Sequence, residues 1–178
     1  MTTQILLAGF GGQGILFAGK FMAYKGLLEG RQLSWLPSYG PEMRGGTANC
    51  NVILSDEPVG SPIVDNPDVL IVMNVPSFDK YEGAVVPGGM IIADSSLIEK
   101  KSERTDIKCF YVPATKMANE MGIPTLANMI LAGKFIRETG AIKWEGMEDT
   151  LHHIISARHQ DMFDANLKAL RAGYEYEG

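Results

Sequence analysis

Short unbroken apolar runs recur along the chain, at Ile5–Ala8, Val69–Met73 and Gly89–Ala93, and each ends in glycine or a small polar residue. Runs without alternation belong to strands buried on both faces of a parallel sheet. The pattern therefore predicts strands there, a further one at Gln32–Leu36 and a weaker, edge-like one at Lys108–Val112. Thr47–Ser55 reads differently: Ala48, Cys50, Val52 and Leu54 alternate with Thr47, Asn49, Asn51 and Ile53, which predicts a strand with one wetter face, antiparallel or at an edge. Helical spacing begins near Gly12 and runs to Leu28, with Ile15, Ala18, Gly19, Met22 and Gly26 on one face and Gly30 as the stop. Ser77 is a candidate cap for a short helix through Tyr81, and Thr115–Met121 predicts another. Thr125 is placed to cap Leu126–Thr139, a segment apolar on nearly every face, which must be buried on both sides or docked on another chain. Helices are expected at Gly146–Ile155 and Gln160–Tyr174, with a loose tail over 175–178.

The first strand runs into Gly9-Phe10-Gly11-Gly12-Gln13-Gly14, which has the G-x-G-x-x-G spacing. On that pattern Gly9 permits the turn, Gly11 lets backbone N–H groups approach a ligand, and Gly14 lets the helix lie close to the strand. No Asp or Glu occurs between Gly9 and Tyr24, so the positive end of the helix is free to face an anion. Gly9, Gly11, Gly12 and Gly14 are thus candidates for a phosphate or ligand loop; the plainer alternative is a close-packed turn with no ligand. The acid that would hold a ribose is missing, because the second strand ends in Pro37 and Ser38 and Glu29 falls at the end of the helix. A conventional NAD dehydrogenase is disfavoured. Together these elements predict one α/β domain over residues 1–178, Rossmann-like, with a mostly parallel open sheet and helices on both faces.

Composition changes the picture in three ways. With 178 residues, 46% hydrophobic and 21% charged, the chain suits one soluble domain. A net charge of −5 without a basic stripe argues against nucleic acid as a partner. There is no apolar run long enough for a membrane span and no leader-like start, so a cytoplasmic protein is expected. The two cysteines, Cys50 and Cys109, stand far apart with no Cys or His at ligand spacing, so no zinc or iron–sulfur site is expected here.

Candidate chemistry is sparse. Leu36–Thr47 holds two prolines, three glycines and both signs of charge, and reads as a working loop rather than a linker. Within it Arg44, between Glu42 and Gly45-Gly46, could present its guanidinium to a carboxylate or phosphate, or simply pair with a nearby acid. Tyr39 is either an interface aromatic or the anchor of the loop. His152, His153 and His159 lack converging carboxylates or thiols and read as solvated helix histidines. Asn74, Asp94 and Ser95 fall at strand ends, where open sheets bind ligands but where caps are also needed. No nucleophile with its base and no acid–base pair appears, so the catalytic assignment is none. A reactive group would come from another chain.

The string Ala8–Gly14 followed by Pro37-Ser38-Tyr39-Gly40-Pro41-Glu42-Met43-Arg44-Gly45-Gly46-Thr47-Ala48-Asn49 resembles the gamma subunit of the 2-oxoacid:ferredoxin (acceptor) oxidoreductases. Asp68–Asn74 and Val86–Gly89 extend the likeness over nearly the whole chain. The Glu42–Cys50 form is nearer the 2-oxoglutarate and 2-oxoisovalerate members than the pyruvate ones. The resemblance implies a complex that decarboxylates a 2-oxoacid on thiamine diphosphate, passes the acyl group to coenzyme A as co-substrate and reduces ferredoxin. It implies no cofactor in this chain: thiamine diphosphate, magnesium and the iron–sulfur clusters belong to partner subunits, and the partners implied are alpha and beta subunits, with a ferredoxin-like delta subunit as a further candidate. Tyr39, Glu42, Met43, Arg44, Gly45 and Gly46 are then expected at a partner or active-site entrance. The alternative is a free-standing nucleotide- or phosphate-binding regulatory module.

Overall fold

The computed structural model describes residues 1–38 and 47–178. Six strands form one sheet: β1 (Thr2–Phe10), β2 (Gln32–Pro37), β3 (Thr47–Ser55), β4 (Val69–Val72), β5 (Met90–Asp94) and β6 (Lys108–Val112), in the spatial order β2-β3-β1-β4-β5-β6. β1, β4, β5 and β6 are mutually parallel, and β3 runs antiparallel to both β1 and β2. The alternating segment is thus the antiparallel member, as its pattern suggested. It is not an edge: β2 pairs outside it, with Trp35 opposite Val52.

Alternate residues of the strands feed two cores. Ile5, Leu7, Cys50, Val52, Leu54, Ile71 and Ile92 face one layer, built by α1 (Ile15–Leu28), α3 (Ala114–Glu120) and α4 (Ala127–Thr139). Leu6, Leu70, Val72, Ile91 and Ala93 face the other, where Phe78 of α2 (Val75–Tyr81), Val85 and Ile98 close over them. α5 (Met147–Ile154) packs beside α1, and α6 (Gln160–Glu175) lies along α4.

The all-round apolar character of α4 has its cause within the chain, between the sheet on one side and α6 on the other. Gly133 and Gly173 mark the crossing, where a Cβ on either would meet backbone atoms of the other helix. Glycine here is a packing requirement.

Several boundaries differ from the sequence expectations. α1 starts at Ile15, because Gly12 to Gly14 are spent on a turn and an N-cap. Asn74, not Ser77, caps α2, its Oδ1 accepting the Ser77 N–H at 2.8 Å. Thr125 does not cap α4; it sits inside a 3₁₀ turn, Pro124–Leu126, and α4 begins at Ala127 with no side-chain cap. The tail is tied down through Tyr176. Lys134, buried in α4, donates to its carbonyl at 2.9 Å, and its ring packs against the larger core.

Candidate functional site

The strand-end crevice is the one place where sequence pattern and topology point together. β1 and β4 are neighbours, but α1 leaves β1 toward one face and α2 leaves β4 toward the other. Open α/β sheets bind ligands outside such a reversal.

Its floor is the Gly9–Gly14 loop. The Gln13 N–H bonds the Phe10 carbonyl at 3.2 Å, closing a four-residue turn with Gly11 and Gly12 at its exposed tip. Gly12 takes φ 90°, the left-handed value the third position of such a turn needs, and Gly14 takes φ 75° as N-cap. Gly9 therefore is not the turn glycine. It belongs to β1, where a Cβ would lie 2.5 Å from Gln13 Oε1 and 3.1 Å from Met73 Cβ. Gly14 does not relieve crowding with the strand either; the atoms a Cβ would strike belong to Asn128 of α4.

Side chains the sequence reading passed over hold this loop. Gln13 Oε1 accepts the Phe10 N–H at 2.6 Å while its Nε2 donates to the Met73 carbonyl at 3.1 Å. Asn128, buried, donates from Nδ2 to the Gly14 carbonyl at 2.9 Å, and its Oδ1 has no hydrogen-bond partner among the described residues. A signal was available: Gln13 is the sole polar side chain between Gly9 and Gly19, and Asn128 the sole one between Ala127 and Gly133.

Beside the loop, a cavity of about 310 Å³ is walled by Phe10, Gly11, Gly12, Leu16, Phe17 and Ala48. It lies against the first turn of α1, whose leading N–H groups have no intrahelical acceptor and which carries no acidic residue of its own. Phe10 stays 43% exposed, so the rim of this cavity is apolar.

The other strand-end polar residues serve the fold. Buried Asp94 accepts the Ser96 N–H at 3.0 Å, the Thr115 N–H at 3.3 Å and the Thr115 hydroxyl, tying β5 to α3. Glu29 is ion-paired with buried Lys25 at 2.7 Å and accepts the Lys143 N–H, so it is not placed as a ribose-binding acid. His152 stacks on Phe163 at 4.1 Å and His153 lies beside Tyr24 at 5.7 Å. Among the described residues no group of three metal-ligating side chains converges. Cys50 lies in the larger core, hydrogen-bonded by Trp35 Nε1 at 2.9 Å, and burial pushes its thiol up to about 12. Cys109 packs on the opposite face of the sheet. Tyr39, Glu42, Met43, Arg44, Gly45 and Gly46 lie outside the described residues.

Comparisons with known proteins bear on the whole chain. The family model described as pyruvate ferredoxin/flavodoxin oxidoreductase matches residues 4–176. The ketoisovalerate oxidoreductase subunit VorA of Methanothermobacter marburgensis is 39% identical over 175 residues, 97% of this chain but 36% of that protein, so the chain spans about a third of its length. The 2-oxoglutarate synthase subunit KorC of Methanocaldococcus jannaschii is 34% identical, over 98% of this chain and 94% of its own. The crystal structure of the gamma subunit of a keto/oxoacid ferredoxin oxidoreductase from Geobacter sulfurreducens superposes with a TM-score of 0.86 at 28% identity, covering 98% of this chain and 95% of that one. A full-length sequence match and a full-length fold match coincide, and the chain belongs to the pyruvate ferredoxin/flavodoxin oxidoreductase family.

Proposed function

We propose that this chain is the gamma-type subunit of a multi-subunit 2-oxoacid:ferredoxin oxidoreductase, which decarboxylates a 2-oxoacid with coenzyme A as co-substrate and reduces ferredoxin. The observation that carries the reading is the match of the whole domain, end to end, to KorC and to a solved gamma subunit. The names VorA and KorC favour 2-oxoisovalerate or 2-oxoglutarate as substrate.

The chain's own donors do not fit the cofactors such an enzyme needs. A four-iron cluster takes four thiolates, and the two cysteines here face opposite sides of the sheet. Magnesium on thiamine diphosphate takes oxygen ligands in a cluster, and the described residues supply none. The role is therefore to complete an assembly whose partner subunits carry thiamine diphosphate, magnesium and clusters. The contact edge is the strand-end rim of exposed Phe10 and the Gly11-Gly12 tip; Tyr39, Met43 and Arg44, outside the described residues, are residue types enriched at interfaces and are proposed partner contacts on sequence grounds.

Affinity purification of the tagged chain from its host, with an absorbance scan, tests this. Large partners carrying iron–sulfur absorbance are expected. A chain that comes down alone and binds a nucleotide overturns the reading in favour of a free-standing module. Within the complex, Arg44→Ala is expected to leave the lone chain's melting unchanged and to lower turnover about tenfold, the scale of one lost charge-assisted contact.

A further inference from the structure

We infer that two copies of this chain join along β2, antiparallel about a two-fold axis at Ser34, so that the six-stranded sheet continues from one copy into the other.

β2 is one of the two edges of the sheet. Ser38 donates its N–H to the Asn49 carbonyl at 2.9 Å, and the register sets Leu36 opposite Asn51 and Ser34 opposite Ile53. Backbone groups alternate sides along a strand, so those of Gln32, Ser34 and Leu36 point to β3 and those of Leu33 and Trp35 point out of the sheet. Among the described residues nothing bonds the Leu33 or Trp35 backbone. Unpaired groups in such a row are a template for another strand, and proteins commonly guard them with charge. The other edge, β6, opens with Lys108, whereas Gln32–Pro37 carries no charged residue.

A second copy is the occupant that fits, because this edge is complementary to itself. With the axis at Ser34, the Leu33 N–H faces the second copy's Trp35 carbonyl, the Trp35 N–H faces its Leu33 carbonyl, and the same pairs repeat across the axis. Every outward donor and acceptor of the two residues is used. The ladder also ends for a reason on each side: Pro37 has no N–H to give, and Arg31, which falls opposite it, donates its own to the Gly26 carbonyl at 2.9 Å. Moving the axis to Trp35 would draw Pro37 into the ladder and leave the Leu33 carbonyl facing a ring nitrogen without hydrogen. Side chains agree with the register. Leu33 and Trp35 are half-buried against the larger core, and across the junction each lies beside the other's copy, an aliphatic–aromatic cross-strand pair. On the opposite face the two Ser34 side chains meet, small and uncharged, and exposed Leu36 falls opposite Gln32. A contact of this isologous kind closes as a dimer. It uses the side of the sheet and leaves the rim of Phe10 and Gly11-Gly12 free, so it holds independently of the proposed function.

Sedimentation of the full chain across the micromolar range tests the pairing, with residue 34 as reporter because it alone lies against its own copy. A dimer is expected. Ser34→Lys and Ser34→Asp each set like charges opposite one another and are each expected to weaken the dimer about fivefold, the scale of one such cross-strand pair. An equimolar mixture of the two is expected to restore it. Ser34→Cys, which also serves if the charged chains do not fold, is expected to form a disulfide-linked dimer under mild oxidation. Facing residues outside a hydrogen-bonded pair have Cα atoms about 4.5 Å apart, within disulfide reach. Gln32→Cys lies about 14 Å from its copy in this register and is expected not to link. A chain that stays monomeric throughout that range, a dimer indifferent to both charges at position 34, or linking of Gln32→Cys in preference to Ser34→Cys overturns the inference.

Discussion

Gly173→Ala adds one methyl group at the point where α6 touches α4, and its effect can be worked from the crossing itself. The new Cβ would strike the Ile130 carbonyl oxygen, lie 2.7 Å from the carbonyl carbon and come within 3.0 Å of the Lys134 nitrogen. All three are backbone atoms, so no side chain can swing aside. The helices must separate, and α4 cannot yield toward the sheet because Met129, Ile130, Ala132 and Phe135 already fill that core. Overpacking of this kind costs about 3 kcal/mol. Against it stands the helix propensity gained when glycine becomes alanine, about 1 kcal/mol. The net loss of about 2 kcal/mol corresponds, in a domain of this size, to a fall in Tm of roughly 4–8 °C. Thermal melting followed by circular dichroism measures it, with Gly60→Ala as the control, since nothing lies within 4 Å of a Cβ there and its φ is not in the left-handed range. The control is expected to melt within about 1 °C of wild type, in line with the small effect of a compatible glycine replacement. A Gly173→Ala chain that melts higher than wild type would show propensity winning and the close crossing to be slack.

Three further outcomes follow from single groups. Cys50, whose thiol burial holds neutral well above the usual range, is expected to resist a thiol reagent that labels Cys109 first, and to react only on unfolding; peptide mass spectrometry after timed labelling decides it, and prompt modification of Cys50 refutes its burial. Arg104 grips Asp106 through two bonds, at 2.9 and 2.7 Å, and this hydrogen bonding holds the Asp106 carboxyl below its usual range. The stability it contributes is complete above the unfolded-state value, near 3.9, and is lost as pH falls through the lower folded value. The Tm gap between wild type and Asp106→Asn is therefore expected at pH 7 and should close in acid; a gap that widens in acid contradicts the sign. Lys134→Ala removes the donor to the Tyr176 carbonyl and the 3.1 Å partner of Glu138, so exchange or carboxypeptidase trimming of the last residues should accelerate, and an unchanged tail would show that ring packing alone holds Tyr176.

What the sequence disclosed followed from how many neighbours a position has. The parallel strands were legible because Ile5–Ala8 and Val69–Val72 are buried on both faces, which leaves no room for polar residues and writes an unbroken apolar run. β3 was legible as antiparallel in character because its second face, at Asn49 and Asn51, is only half-buried. Its interior position was not, because alternation reports the two faces of a strand and says nothing of its two edges. α4 showed its burial but not its partner, since an apolar surface fits a sheet, a helix or another chain equally; the two glycines forty residues apart that name α6 as the partner gain meaning only once the helices are crossed.

The candidate site was legible in its glycines and opaque in its amides, for a related reason. Glycine spacing constrains backbone shape locally, so the turn and the N-cap could be placed within a residue or two, although the roles of Gly9 and Gly14 came out differently. Gln13, Asn74 and Asn128 act at long range or through a single carbonyl: Gln13 reaches Met73, sixty residues on, and Asn128 reaches back to Gly14. No periodicity encodes such contacts. A lone amide inside an apolar run is nonetheless costly to bury without partners, so its presence among glycines and aliphatics already implied that carbonyls or N–H groups would be waiting for it. By that reasoning the polar exceptions in an apolar stretch carry more information about a strand-end crevice than the glycine spacing does. In this chain they indicate a loop held by its own side chains, Gln13 to β4 and Asn128 from α4.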